Sequence, residues 1–345
     1  VPRHGLPIQV NGNHPFLVND VTNVPFAQLS RKQRRIVKTN LRPVWKRARD
    51  LEPNDILLFP KFKPEASSKW RGYELGCLIG CFLGDGSLSW EGKKRKDGRR
   101  SKVWNLHFNA KEEKLIQKYE RILGELGIHT WRYVWSKRQD RVVLKFRLNQ
   151  KGLNWWFEKC YRGGKKYLPV EMLNGDEDFR RGLIQGLVDS DGYEDRKGHL
   201  HFCNTQTSLV NGLVLLLSTF GILPSIRKQK NRGWGEIIYE LSWKPGVQRE
   251  VFDYGEYLGT RVRAVRKAKT IKPLVNIVTE DHTFAVPYCL THNTEPIEWL
   301  FKGEPWVMPL DFEGDITYLE DEAGRAHIVE LKRYDEDGNV IELME

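Results

Sequence analysis

No stretch of the 345-residue sequence approaches the roughly 18 consecutive apolar residues that a membrane helix needs, and no charged-then-apolar signal pattern opens it. The sequence therefore predicts a cytoplasmic protein with no membrane partner. Cysteine is scarce, and Cys77, Cys81, Cys160, Cys203 and Cys289 include no CxxC pair. That scarcity argues against a disulfide framework and a zinc site and for a reducing compartment. Acid falls short of base: Lys+Arg 56 against Asp+Glu 45 leaves a formal charge of +11. The excess is clustered in "KKRKDGRRSK" (93–102), where Lys93, Lys94, Arg95, Arg99 and Arg100 face one acid. Such a run is either a solvated loop or a contact to a polyanion, and by itself it does not decide between them. Hydrophobic residues at 40% and aromatics at 11% suffice to fill the cores of two or more domains.

What is present is a repeated oddity. "LIGCFLGDGS" (78–87) is an apolar, helix-like run with Gly76, Gly80 and Gly84 four residues apart, and it ends on Asp85. "GLIQGLVDSDGY" (182–193) repeats the device with Gly182, Gly186 and Ser190, and Asp191 follows. The segments after each helix align without a gap, "HFNAKEEKLIQKYERILGELGI" (107–128) against "HFCNTQTSLVNGLVLLLSTFGI" (201–222). Strand, basic turn and strand then recur in 131–148 and 225–243, so residues 67–259 read as two copies of one unit, about 67–160 and 161–259. The basic run is an insertion in the first copy.

Small residues at every fourth position flatten one helix face, so two such helices can approach backbone to backbone. Asp85 and Asp191 then meet at one end of the seam, each at a helix C-terminus where the macrodipole already disfavours negative charge. Two such carboxylates repel. A divalent cation removes the conflict, and carboxylate with backbone oxygen and water is the ligand set of Mg²⁺.

The two stretches resemble the paired LAGLIDADG motifs of homing endonucleases, in the double-motif, single-chain form. The resemblance implies an α+β fold, αββαββα in each half, whose two sheets form a saddle over double-stranded DNA, and a monomer. It implies that Asp85 and Asp191, with oxygens of Gly84 and Ser190, hold Mg²⁺ or Mn²⁺ for hydrolysis of both strands. The basic turns then place Lys137, Arg138, Arg141, Arg227, Lys228, Lys230 and Arg232 against phosphates or base edges. Lys151 and Lys244, near the end of each unit, are candidates for the family's basic catalytic residue.

The flanks resemble a second kind of protein, the inteins. "IQVNGNHPFLV" (8–18) looks like the intein histidine strand, with His14 in the histidine place and Asn11 where threonine is usual. "WKRARDLEPNDILLFP" (45–60) looks like the strand-turn that precedes an endonuclease insertion. "NIVTEDHTFAVPYCLTHNT" (276–294) resembles the intein C-terminus, with His282 before an aromatic and then His292-Asn293-Thr294. The resemblance implies an all-β Hint splicing domain, interrupted by the endonuclease, from residues 1–66 and 260–293. In it the Asn293 amide attacks its own carbonyl with help from His282 and His292, and Thr294 is the following nucleophile. On this reading the splicing domain is incomplete at its N-terminus and takes a complementary N-terminal fragment as partner. Residues 294–345 form a piece of an interrupted host, with a hairpin turning at Asp337-Gly338. Two other classes stay open: a DNA-binding module that keeps the saddle without cleavage, and a free-standing intron endonuclease or maturase.

Overall fold

The computed structural model describes residues 1–5, 8, 10, 12–20, 30–65, 69–92, 101–134, 140–148, 151–162, 165–230, 237–246, 251–267, 283–286, 288–292, 299–302, 304–306, 314–320, 326–334 and 340–344. The chain begins with β1 (Pro15–Asn19), α1 (Arg31–Thr39), β2 (Pro43–Arg47) and β3 (Ile56–Pro60). The first repeat follows as α2 (Tyr73–Asp85), β4 (Gly86–Glu91), β5 (Ser101–Asn109), α3 (Glu113–Glu125), β6 (Thr130–Val134), β7 (Arg141–Phe146) and α4 (Lys151–Lys159). A short hairpin, β8 (Tyr161–Arg162) and β9 (Lys165–Lys166), leads to the second repeat. That repeat is α5 (Glu177–Asp191), β10 (Gly192–Glu194), β11 (Leu200–Asn204), α6 (Thr207–Ser218), β12 (Ser225–Lys230) and β13 (Ile237–Trp243).

The two repeats share one topology. Their four-stranded antiparallel sheets run β4-β5-β7-β6 and β10-β11-β13-β12, each preceded by a glycine-spaced helix and crossed by a second helix. Alternation sets the faces. On β5, Trp104, Leu106 and Phe108 join the main core, while His107 stands between them in the period-two pattern and bonds Ser87 Oγ through Nε2 at 2.8 Å. On β11, Phe202 takes the core side and His201 the other, where Glu240 Oε1 lies 2.9 Å from its Nδ1. α5 starts cleanly because Asp176 caps it, accepting from Phe179 N at 2.7 Å, with Glu177 and Asp178 at the positive end of the dipole.

The expected αββαββα order holds in the first half. In the second, β13 is followed by β14 (Val251–Asp253) and β15 (Tyr257–Arg261), and no closing helix lies among the described residues. These two strands leave the repeat altogether: β15 pairs with β3 from Tyr257↔Pro60 to Arg261↔Ile56. The expected domain boundary at 259 therefore runs through a strand that belongs to the flanking sheet.

That sheet joins the two ends of the chain. β16 (Thr283–Val286) and β17 (Cys289–His292) complete it in the order β14-β15-β3-β1-β17-β16, with β2 on β1. Strands from residues 15–60 and from 251–292 thus interleave around the repeats, which leave and return through one sheet. Its apolar contacts include Leu17, Ile56, Leu58 and Phe252, while Phe59, Leu258 and Tyr288 reach into the main core. β18 (Trp299–Phe301), β19 (Glu304–Trp306), β20 (Gly314–Glu320), β21 (Ala326–Tyr334) and β22 (Val340–Met344) make a separate sheet. β21 and β22 pair antiparallel, as the hairpin reading expects, and the Asp337-Gly338 turn lies outside the described residues. No described helix is long and apolar enough to cross a membrane.

Candidate active site

α2 and α5 form the seam that the glycine spacing predicts. A Cβ placed on Gly80 would stand 2.3 Å from the Leu183 carbonyl oxygen and 2.9 Å from Gly186 Cα. One placed on Gly186 would stand 2.2 Å from the Cys77 carbonyl oxygen. Backbone meets backbone there, and only hydrogen fits. At the third step the pattern changes: the room Gly84 leaves is taken by Ser190, and Asp191 Oδ2 would lie 3.2 Å from a Gly84 Cβ. The seam therefore delivers Asp85 and Asp191, the last residues of α2 and α5, to one place.

Electrostatics at that place follow from the crowding. Burial, and then the charge of Asp191, push the Asp85 carboxyl up to about 6, against the opposing pull of Lys166 and Arg141. Burial also raises Asp191, opposed by a hydrogen bond from Asn204 Nδ2 to Asp191 Oδ2 at 2.7 Å and by Lys166. Lys166 is lowered by burial and raised by both carboxylates. Its Nζ donates to the Gly84 carbonyl oxygen.

These residues fit a hard divalent cation. Among the described residues no group of three or more His, Cys, Asp or Glu side chains is gathered, so the site is not an all-side-chain cage. It offers two carboxylates and a backbone carbonyl and leaves the other positions to water and substrate oxygens, the mode Mg²⁺ favours. Positive charge is already favoured there, because one ammonium is bonded to the Gly84 carbonyl and the charges of both acids favour its protonated form. The Ser190 hydroxyl turns its one proton toward the Gly186 and Leu187 carbonyls, at 3.0 and 3.1 Å.

The predicted basic residues scatter differently. Lys166 is not among those candidates, and its Nζ is the ammonium that donates to the Gly84 carbonyl beside the two acids. Lys244 Nζ instead donates to the Lys197 carbonyl at 2.7 Å, a contact that commits it away from Asp85 and Asp191. Lys151 opens α4, and its side chain lies outside the described residues. The one cue to Lys166 is "GGKKY" (163–167), a glycine pair and a lysine pair in the link between repeats. Arg227, Lys228 and Lys230 are exposed along β12, and Arg141 is exposed at the start of β7. Lys93, Lys94, Arg95, Arg99, Arg100, Lys137, Arg138 and Arg232 lie outside the described residues.

In the flanking sheet, His14 Nε2 lies 2.5 Å from Thr291 Oγ1, beside the pairing of Phe16 with Thr291. Thr291 immediately precedes His292, the last residue of β17, whose backbone pairs with Thr283. The sheet thus brings the early histidine to the strand that ends on the late one. The His292 side chain, Asn11, His282, Asn293 and Thr294 lie outside the described residues.

The profile of a LAGLIDADG-like domain matches residues 72–161 and 178–251, the two units of like topology that share the glycine seam with an acid at the end of each helix. The ATP-dependent DNA helicase Hel308 of Thermococcus kodakarensis is 26% identical over 163 residues, 45% of this chain and 14% of that protein. An iron-sulfur cluster assembly SufBD family protein of Mycobacterium tuberculosis is 23% identical over 320 residues, 84% of this chain and 36% of that protein. The chain therefore spans well under half the length of these curated relatives. Among solved structures, variants of the homing endonuclease I-DmoI match at 18% identity, covering 49% of this chain and 87% of theirs, with a TM-score of 0.36. The homing endonuclease I-WcaI bound to its DNA recognition sequence matches at 16%, covering 51% and 77%, with a TM-score of 0.33.

Proposed function

We propose that the chain is a site-specific, metal-dependent DNA endonuclease. The observation that carries this reading is the placing of Asp85 and Asp191 together at the end of a seam only glycine permits, beside the Gly84 carbonyl and the half-buried ammonium bonded to it. Folding alone gives no reason to put two acids at the joined C-terminal ends of two helices. A divalent cation bound there supplies charge neutralisation at a scissile phosphodiester. The chain's own residues do the rest. Asp85 and Asp191 orient the site, Lys166 adds a positive charge toward the phosphate, and β12 with the start of β7 offers Arg141, Arg227, Lys228 and Lys230 to a duplex. The reaction joins a water oxygen to phosphorus as one P–O ester bond breaks.

The test is selection from a randomised duplex library in Mg²⁺. Wild type is expected to cleave a defined sequence, and Asp85→Asn and Asp191→Asn to bind that duplex without cutting it. Full cleavage by the double variant sinks the reading. Binding should fall with salt at a log-log slope of roughly −0.9 per phosphate contact.

The flanks support a second activity, protein splicing chemistry of the intein kind, with the endonuclease as an insertion. Three observations favour it: one sheet built from both flanks, the approach of His14 to the 291–292 strand, and the company the sequence keeps. A helicase and an iron-sulfur assembly protein have unrelated names, yet each shares a minor part of its length with this chain. A movable insertion accounts for that. Mass spectrometry of the purified chain, alone and with an added N-terminal intein fragment, tests it. Release of residues 294–345 that stops in Asn293→Ala is the expected result. An intact chain under both conditions removes this limb and leaves the nuclease reading standing.

A further inference from the structure

The two repeats are alike in topology but not around their acids. The strand after each glycine-spaced helix ends in a turn into the next helix, and the gapless alignment sets Ala110 against Asn204 and Glu112 against Gln206. The structure keeps that equivalence at the helix starts, where Glu112 and Gln206 cap α3 and α6, but the strands before them differ in register by two residues. Gly86 pairs with Leu106 and Gly192 with Phe202, and the first repeat's turn is closed by Asn109 Oδ1 accepting from Lys111 N at 3.0 Å.

In the second repeat the turn is wired to the site. Asn204 Oδ1 accepts from Gln206 N at 2.8 Å, which fixes which end of the amide is which. Nδ2 must then face Asp191 Oδ2, 2.7 Å away. Gln206 Oε1 in turn accepts from Lys166 N at 3.1 Å. One three-residue turn therefore holds both the acid of its own half and the backbone of the lysine. In the first repeat, Ala110 has no amide to offer Asp85. Glu112 instead accepts from Asn109 N at 2.9 Å, and its charge acts on Asp85 in the unfavourable direction.

We infer that Asn204 is a positioning residue that makes the two acid sites inequivalent, so that one and the same DNA strand is always hydrolysed first. The inference rests on the nuclease reading above. A carboxylate whose orientation is fixed by an outer hydrogen bond loses less freedom when it takes up a cation, and such partners typically matter by about 10–100-fold in metal affinity or activity. Among the described residues, Asp191 has that partner and Asp85 does not.

Two measurements test it, one of them without catalysis. Mn²⁺ binding to the full chain with selected duplex, followed by electron paramagnetic resonance, should show one tighter and one weaker site in wild type. Asn204→Ala should weaken the tighter site by about 10–100-fold. Equal sites in wild type, an unmoved tighter site in Asn204→Ala, or no Mn²⁺ binding overturns the inference. On a plasmid carrying the selected duplex, with each strand labelled, first nicks should fall on one strand in wild type and on both nearly equally in Asn204→Ala. Ala110→Asn should narrow the bias from the other side. A merely structural role for Asn204 would slow both strands together and leave the ratio of first nicks unchanged, which also overturns the inference. If wild type cuts no duplex at all, the nuclease reading fails, and the Mn²⁺ titration, run then on the chain alone, still decides whether Asn204 makes the sites unequal.

Discussion

Thr291 Oγ1 stands 2.5 Å from Nε2 of His14 and 2.6 Å from the carbonyl oxygen of Pro15. A hydroxyl has one proton, and a carbonyl oxygen can only accept, so Thr291 donates to Pro15 and His14 Nε2 must donate to Thr291. Neutral His14 therefore carries its proton on Nε2. Imidazole ¹⁵N shifts in the labelled chain will show it, and a proton on Nδ1 in the neutral ring would contradict the assignment. Thr291 is fully buried, so Thr291→Val keeps shape but strands two polar groups. The expected loss is about 1–3 kcal/mol in urea unfolding.

The Asp85 carboxyl, raised to about 6 by burial and by Asp191, binds a proton in the folded chain over a range where the unfolded chain has lost it. Between the ordinary carboxylate range and pH 6 the native state holds more protons, so this group's contribution to stability falls as pH rises to about 6 and stays at its least favourable above. Asp85→Asn should flatten that slope. Asp85 is exposed on its open side, so solvent screening keeps the gain small: a rise in melting temperature above pH 7 of a few degrees at most. A lower melting temperature for Asp85→Asn at pH 7.5 would contradict the burial argument.

Gly80→Val should be severely destabilising, because its Cβ meets the backbone of Leu183 and Gly186, which no rotamer change can move aside. The expected cost is about 3 kcal/mol or more, at the top of the range for overpacking. Gly124→Ala makes the opposite prediction. Gly124 lies inside α3 with nothing within 4 Å of a built Cβ, so alanine should stabilise by about 0.5–1 kcal/mol. Chemical denaturation of the two variants side by side separates close approach from helix propensity.

These contrasts explain what could be read in advance. Glycine every fourth residue in an apolar helix is costly unless another backbone needs the space, so the α2–α5 seam and its terminal acids were legible from spacing alone. Lys166 was not, because it reaches Gly84 from the link between repeats and no local pattern marks it. Asn204 emerges only when the copies are aligned and the turn geometry shows which way its amide points. The departure of β14 and β15 from the second repeat was equally hidden. A short strand looks the same whether it pairs with its neighbour or, like Tyr257 with Pro60, with a strand far earlier in the chain.

One ion pair is not repeated by the pseudo-symmetry. Asp189 on α5 accepts from Lys118 Nζ at 2.5 Å and from Tyr119 OH at 2.8 Å, both on α3, while Gln185 holds its other oxygen at 2.8 Å. The cluster ties the second repeat's helix to the first repeat's. Its mates by alignment are Leu83, Gly212 and Leu213, which are apolar and buried, so the same helix packing tolerates an uncharged seam. Asp189 and Lys118 are mostly shielded, with side chains 11% and 25% exposed, so removing one partner leaves a charge with little water. Lys118→Met should cost about 3 kcal/mol, near the lower end for broken buried pairs. Asp189→Leu should cost less, since it leaves behind only a lysine long enough to reach solvent. The double variant should recover most of the Lys118→Met loss, giving a coupling of about 1–3 kcal/mol in a urea double-mutant cycle. If the double variant is instead as unstable as the sum of the two singles, the pair does not couple the repeats, and their register rests on the glycine seam alone.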